Sequence, residues 1–339
     1  VLSIATGSNF VCVLLDIERV KCWGDNSLAQ LGILGVHKDL APATMGDNLP
    51  FLDFGLNKNV KHISAGYAHS CGILQDDTVK CWGYNDDGQL GNEVGGYNTP
   101  RFPLYGDATP VVKLGTGVTA KLVSCGFYHS CIISQAGNVM CWGKNGDGQC
   151  GTPIYHGKDP ATMGDNLPIV SLGVGLTAVY ISAGSSHTCA ILDNNMLKCW
   201  GDNSYGQLGY GHTTQKGGNT GFNDMGGMLP YVNLGTYQGN SVTVLSVSCG
   251  KWQTCALIME TRGVKCWGSV MAYGTAEYLG DEIGEMGDML PYVDLGVYTH
   301  DIATVTVGDK HVCVVAYSDQ TVRCWGDNTY GQLGLGNTN

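Results

Sequence analysis

The sequence C-W-G-D-N-S-Y-G-Q-L-G at residues 199 to 209 decides how this chain folds. Close copies of it begin at Cys22, Cys81, Cys141 and Cys324, with a looser copy at Cys266. The intervals between these cysteines are 59, 60, 58, 67 and 58 residues, so six repeats account for essentially all 339 residues. A fixed period of this length marks one supersecondary unit used again and again, each unit burying its apolar faces against the next. One domain is therefore expected over residues 1–339, with repeats near 1–49, 50–109, 110–167, 168–229, 230–290 and 291–339.

Composition narrows the class. Glycine, at 51 residues, is about twice its ordinary usage and only 14% of residues are charged, a balance that suits short strands buried on both faces and joined by tight turns. No helical periodicity is visible. A formal net charge of -11 leaves no clustered Lys and Arg of the kind that phosphate backbones or anionic lipids require, so nucleic acid is not an expected partner. No apolar run approaches membrane-spanning length, so membrane insertion is not expected either. The chain opens at Val1 with neither an initiator methionine nor a signal peptide, which reads as a processed or partial polypeptide. There is no nucleophile elbow, no phosphate loop and no recurrent His-Asp-Ser grouping, so neither an enzyme nor a cofactor is expected.

Cysteine carries the strongest chemical signal. Twelve of the fifteen fall into six pairs, Cys12 with Cys22, Cys71 with Cys81, Cys131 with Cys141, Cys189 with Cys199, Cys255 with Cys266 and Cys313 with Cys324. Each pair is ten or eleven residues apart and brackets a short polar turn such as Gln75 to Thr78, so the two cysteines face each other across a β-hairpin. Opposed antiparallel positions lie about 4.5 to 5.5 Å apart at Cα, within the span of a disulfide. Six hairpin disulfides are expected, each closing a loop of about 11 residues and contributing roughly 3 kcal/mol at most. Reduced thiols and zinc are the rival readings. Zinc sites usually place two cysteines two to four residues apart, which none of these pairs does, so no metal is expected. Disulfides at this density imply an oxidising compartment, extracellular or at the cell surface, reached through the secretory pathway. Cys125 and Cys150 share a repeat and are candidates for a further bond, leaving Cys249 as a free or intermolecular thiol.

Each repeat reads as four short strands. In the second these are Val60 to Ala65, His69 to Leu74, Val79 to Trp82 and an outer strand of the type Phe51 to Phe54 or Val111 to Leu114. The first strand ends in a glycine that recurs as Gly7, Gly66, Gly126, Gly184, Gly250 and Gly308, where positive φ or close approach is expected. Both faces of the second strand are small or apolar, as in a sheet sandwiched between sheets. The pattern G-x-x-H-[ST]-C followed by C-W-G-x-N-x-x-G-Q-L-G resembles the repeat of the regulator-of-chromosome-condensation family of β-propellers, and it covers nearly the whole chain. The resemblance implies an all-β propeller of six blades, or seven in a longer chain, each blade four-stranded, antiparallel and pinned by one hairpin disulfide. Family members act as exchange factors for a small nuclear GTPase, as a plant ultraviolet-B photoreceptor, as a secreted β-lactamase inhibitor and as adaptor domains. The paired cysteines depart from the intracellular members, so a disulfide-containing extracellular variety is expected.

The remaining candidates are weighed by recurrence. His69, His129, His187 and His311 share one slot, filled by Phe10 and Gln253 in the other copies, which favours structural hydrogen bonding over metal. Trp23, Trp82, Trp142, Trp200, Trp267 and Trp325 follow the second cysteine of each pair and are expected between blades, not clustered on an exposed face as a photoreceptor requires. Asn85, Asp86 and Asp87, and Asn145 with Asp147, resemble part of a calcium loop whose second carboxylate other copies lack. Asp281, Glu282, Glu285 and Asp288 form an acidic cluster that reads as a solvated loop. Outer strands start at Phe51, Val111, Ile169, Tyr231 and Tyr292, five for six C-W-G strands, so the sixth blade is expected to be completed by residues beyond these or, alternatively, to offer an open edge for self-association. Loop lengths vary at 33–49, 92–109, 152–167, 210–229 and 281–290, and protein or glycan partners are expected at that rim. The expected function is a non-enzymatic extracellular scaffold or recognition module, including as a building block of a surface or fibrous assembly. The alternative is an intracellular regulator resembling small-GTPase nucleotide exchange factors, distinguished by thiols that stay reduced.

Overall fold

Apolar runs of about six residues, rich in Val, Ile and Cys and punctuated by turn residues, fold in every repeat into an antiparallel meander. The computed structural model describes residues 1–33, 45–92, 101, 102, 104, 106–217, 224–269 and 278–338. Much of the loops at 33–49, 92–109 and 210–229 lies outside the described residues. The chain divides into two compact units, Val1–Gly146 with Ile154–Val170, and Asp147–Pro153 with Ser171–Asn339.

Among the described residues, the first unit holds three sheets. Their strands are Ser3–Thr6, Phe10–Leu14 and Val20–Gly24; Val60–Ala65, His69–Leu74 and Val79–Tyr84 with the short Arg101–Phe102; and Ala120–Cys125, His129–Ser134 and Val139–Gly143. The second unit repeats the pattern. It has Ala178–Ala183, His187–Leu192 and Leu197–Gly201; Val244–Cys249, Gln253–Ile258 and Val264–Ser269 with Tyr278–Leu279; and Ile302–Val307, His311–Ala316 and Val322–Gly326, besides a small ribbon of Thr236–Tyr237 and Asn240–Ser241. Among the described residues, no helix is long and apolar enough to cross a membrane.

The expected four-stranded blade is not what forms. Among the described residues, four of the six repeats make three-stranded sheets, and in the other two the fourth strand is a two-residue pairing unrelated to the expected outer strands. The segments at Phe51, Val111, Ile169, Tyr231 and Tyr292 instead attach to the third strand by one backbone bond each. Leu52 N donates to Val20 O at 2.9 Å, and Val112, Val170, Val232 and Val293 do the same to Val79, Val139, Leu197 and Val264. The cause is local. Each segment opens with a proline that has no N–H to give and reaches its next turn within five residues, so the ladder has no room to grow.

Register is set by the hairpin turn. All six cysteine pairs are directly opposite one another. The pairs eleven apart keep this alignment because the extra residue enters the turn. Leu74 N donates to Thr78 O in the second repeat, whereas Ile258 N reaches Gly263 O in the fifth, with Asp77 and Arg262 taking positive φ. The glycine after the first strand serves close approach: a Cβ on Gly66 would lie 2.1 Å from Gly126 O, and one on Gly184 2.5 Å from Gly250 O.

Burial differs between inner and terminal repeats. The second strands His69–Leu74, His129–Ser134, His187–Leu192 and Gln253–Ile258 are buried along their whole length. In Phe10–Leu14 and His311–Ala316 burial alternates, so one face of each stays partly exposed. The third strand of the sixth repeat is exposed too, with Val322 at 66%.

Candidate functional site

The organising motif braces itself. In C-W-G-x-N-x-x-G-Q-L-G the asparagine Oδ1 accepts the N–H of the leucine five residues on, as from Leu31 to Asn26, Leu90 to Asn85 and Leu208 to Asn203. The glutamine Oε1 accepts the N–H two residues before it, as from Leu28 to Gln30, Asp87 to Gln89 and Tyr205 to Gln207. Both side chains are thereby used in holding the loop, and the glutamine carbonyl is left facing the following repeat.

That carbonyl anchors a repeat-to-repeat network. Gln89 O accepts Trp142 Nε1 at 2.9 Å and Ser130 Oγ at 2.8 Å, and Gln207 O accepts Trp267 Nε1 and Thr254 Oγ1, both at 2.9 Å. The same hydroxyls accept from histidine, Ser130 from His69 Nε2 and Thr254 from His187 Nε2, each at 2.9 Å. Because each hydroxyl gives its one proton to the carbonyl, the imidazole must donate from Nε2. Burial holds both rings neutral, lowering His69 to about 3 and His187 to about 4. His129 is equally buried, whereas His311 is only half-buried. Trp82, Trp142, Trp200 and Trp267 are wholly buried, and Trp82 and Trp200 bond Gln30 O and Gln149 O. Trp23 and Trp325 are half-buried.

Sequence reasoning missed the lysine before the second cysteine. Lys80 Nζ donates to Phe54 O and Gly106 O at 2.9 and 2.7 Å, Lys198 to Leu172 O and Gly226 O at 2.7 and 2.9 Å, and Lys265 to Leu234 O and Gly287 O at 2.8 and 3.0 Å. Desolvation pulls all three below the usual lysine range. Their ammonium groups tie the outer segment to the sheet where the ladder does not. The signal was present as a recurrent K-C-W, interrupted by Met140 and Arg323.

The six cysteine pairs are bonded in the structure, with Cα atoms 4.0 to 4.1 Å apart. Cys125, Cys150 and Cys249 are buried outside these bonds, so the candidate bond between Cys125 and Cys150 is not made. They occupy different places in the repeat: Cys125 ends a first strand, while Cys150 takes the core slot that Leu31, Leu90 and Leu208 fill elsewhere. Burial pushes the thiols of Cys125 and Cys249 up to about 12. Two buried groups, His69 with Cys71 and Cys125, and His187 with Cys189 and Cys249, bring ligand atoms within 4.8 Å of one another.

The acidic candidates accept from nearby backbone and side-chain donors. Glu285 accepts the N–H groups of Gly280 and Glu282, Asp288 accepts Thr236 N, and Asp86 accepts Tyr84 OH. The recurring M-G-D turns do likewise, with Asp107 accepting Leu56 N and Asp165 accepting Thr116 N. What stands open is aromatic. Tyr67, Phe127, Tyr128 and Tyr84 cluster in the first unit with neighbouring rings 5.3 to 6.2 Å apart. In the second unit Tyr205 meets Trp252 at 5.3 Å and Tyr278 at 5.2 Å, with Lys251 Nζ 4.2 Å over the Trp252 ring. All seven rings are partly or fully exposed.

Sequence profiles of the Regulator of chromosome condensation (RCC1) repeat match residues 1–30, 60–89, 120–149, 178–207 and 302–332, and a second profile of the same repeat matches 136–191. Together they take in more than half of the chain, which belongs to the RCC1-repeat family. It is 24% identical to the probable E3 ubiquitin-protein ligase HERC4 of Homo sapiens over 94% of this chain and 31% of that protein. It thus spans about a third of the length of that relative. It is 26% identical to the ultraviolet-B receptor UVR8 of Arabidopsis thaliana over 99% of this chain and 67% of the receptor. Among solved structures it superposes on yeast RCC1 (Prp20) bound to Kap60 with a TM-score of 0.70 at 19% identity, covering 98% of this chain and 71% of that one. Human WBSCR16 gives 0.73 at 19% identity, covering 99% and 78%. The fold is that of RCC1-repeat β-propellers, and the chain is a non-catalytic module of that family.

These findings correct the expectation of an extracellular variety, a secreted scaffold and a secretory route. Matching proteins such as yeast RCC1 (Prp20) and the HERC relatives are nuclear and cytoplasmic regulators. The step that failed ran from cysteine spacing to compartment. Hairpin register brings the pairs together wherever the protein resides, so the spacing carries no address.

Proposed function

We propose that this chain is a non-catalytic regulatory module that works by binding other proteins, in the manner of the exchange factors that act on small GTPases. The observation that carries this reading is the pair of half-exposed aromatic clusters, each built on the ends of well-buried strands. Large rigid rings beside a lysine make good protein anchors because they bury much area and lose little side-chain entropy. A net charge of -11 favours a partner with a basic surface. The likeness to yeast Prp20, whose structures describe binding to Kap60, Gsp1p and histones, supports partners of a regulatory kind. Finer parts of the proposal are protein or glycan contact at the loop 152–167, where Ile154 and Tyr155 are 54% and 45% exposed, and strand addition by a second copy at Val322–Gly326.

The test is release of a fluorescent GDP analogue from nuclear-type small GTPases, with binding measured by calorimetry. The chain is expected to bind one of them and speed release. Tyr67→Ala or Trp252→Ala should weaken binding by about tenfold or more, as loss of a buried aromatic anchor does. Neither binding nor accelerated release across the panel would overturn the reading.

A further inference from the structure

We infer that this chain holds two buried zinc sites that form when its hairpin cysteines are in the thiol state, one built from His69, Cys71, Cys81 and Cys125, the other from His187, Cys189, Cys199 and Cys249. In each, the ligand atoms of the histidine, the first hairpin cysteine and the third cysteine already lie within 4.8 Å of one another, and all three residues are buried. The third cysteine ends the first strand of the following repeat, immediately before the close-approach glycine. That slot is Thr6, Ala65, Ala183 or Val307 in the other repeats. Cysteine stands there only twice, and both times the repeat before it carries the histidine. Neither Cys125 nor Cys249 takes part in a hairpin bond, so hairpin stabilisation does not explain their presence.

The fourth ligand comes from across the hairpin. Cys81 is opposite Cys71 and Cys199 opposite Cys189, with Cα separations of 4.1 Å, so both sulfurs of a pair stay on one face after the bond opens. Each site then offers three thiolates and an imidazole. Cys3His is a tetrahedral structural zinc set with Zn–S near 2.3 Å and Zn–N near 2.0 Å, which spaces the ligand atoms about 3.5 to 3.8 Å apart. Side-chain rotation closes the remaining ångström among the histidine, the first hairpin cysteine and the third cysteine, and the fourth sulfur, once freed from the hairpin bond, has to turn in to join them. Soft sulfur donors select zinc over magnesium or calcium.

The chemistry balances with a dithiol reductant. Two electrons and two protons pass from the dithiol to the Cys71–Cys81 bond, giving two thiols and leaving the reductant as a disulfide. Zinc then displaces the three thiol protons of Cys71, Cys81 and Cys125. The imidazole proton, now given from Nε2 to Ser130 Oγ, moves to Nδ1, which has no hydrogen-bond partner among the described residues. The hairpin bond and the metal therefore exclude each other. Of the two, the metal but not the disulfide joins neighbouring repeats, because Cys125 and Cys249 come from the next sheet.

The ligands sit roughly one repeat apart in sequence, which is why spacing within a hairpin gave no hint of them. The experiment is zinc content, by atomic spectrometry after gel filtration, of protein kept in the thiol state with a phosphine from lysis onward. Cobalt replacement reports thiolate ligation through its sulfur-to-metal absorption. About two zinc ions per chain are expected, about one in Cys125→Ala or Cys249→Ala, and none in the double variant. Alanine is what Ala65 and Ala183 supply at this slot, so the fold should survive, and circular dichroism checks that. Cys150→Leu, which restores the usual core leucine, should keep both ions. Absence of tightly held zinc in the thiol form, zinc retained in the double variant, or equal zinc in the disulfide form would each overturn the inference.

Discussion

Replacing Thr254 by valine isolates the repeat-to-repeat network. The hydroxyl is wholly buried, gives its proton to Gln207 O at 2.9 Å and accepts from His187 Nε2 at 2.9 Å. Valine keeps the β-branched shape and already fills this slot as Val11 and Val312, so no cavity term enters. Gln207 O retains Trp267 Nε1, so that side loses one neutral bond, about 1 kcal/mol. His187 fares worse. Its Nδ1 has no hydrogen-bond partner among the described residues, and the substitution also strands Nε2–H in a fully buried place, costing about 1–3 kcal/mol more. The total is about 2–4 kcal/mol, read as a lower urea midpoint at unchanged slope. In a His187→Phe background, which copies Phe10, the same change should cost only about 1 kcal/mol, leaving a coupling of about 1–3 kcal/mol. Additive costs across the cycle would show that the histidine and the hydroxyl do not hold each other.

In metal-free, disulfide-bonded protein, His69 at about 3 and His187 at about 4 sit well below the unfolded value near 6.5, so the unfolded chain binds the extra protons. Stability from these rings is complete above about pH 6.5 and falls as pH drops toward 4, by about 2.7 kcal/mol per unit for the two together; urea midpoints at pH 7.5 and 5 check it, and equal midpoints refute it. Lys198→Met copies Met140 of the third repeat but strips an ammonium from Leu172 O and Gly226 O. A loss of about 2–3 kcal/mol is expected, net of the relieved desolvation, with faster amide exchange confined to the two segments that hold its acceptors, residues 169–173 and 224–234.

Much of this was legible because repetition multiplies weak signals. Six copies of C-W-G fixed the strands, the hairpin pairing and the tryptophans between repeats without any one copy being decisive. What stayed hidden depends on atoms that meet across repeats or on backbone groups that carry no letter. The Lys198 ammonium is bound to two carbonyls, and a carbonyl has no side-chain signature. The outer segment looked like a strand because P-Y-V-N-L alternates. Whether alternation becomes a ladder depends on how many N–H groups face the neighbour, and here there is one. The aromatic clusters were invisible for a related reason. Tyr67 and Tyr128 are separated by a full repeat and meet only because the first-to-second-strand turns of adjacent sheets lie side by side.

The cysteine pairs show how a correct geometric reading leads to a wrong functional one. A second strand buried on both faces wants small apolar side chains, and the position facing it across the hairpin wants the same. Cysteine satisfies that demand as a thiol, since it packs as a small hydrophobe, and as a half-cystine, since the register holds the Cα atoms 4.1 Å apart. Recurrence of the pair follows from packing alone, so it does not discriminate a reducing compartment from an oxidising one. Cys125 and Cys249 do discriminate, because no hairpin needs them. In an oxidising compartment a buried thiol beside a disulfide gains nothing from its position. In a reducing one it completes, with the opened pair and the histidine, a ligand set that binds one sheet to the next. Counting zinc in the thiol form therefore asks in one measurement which state these pairs were placed for.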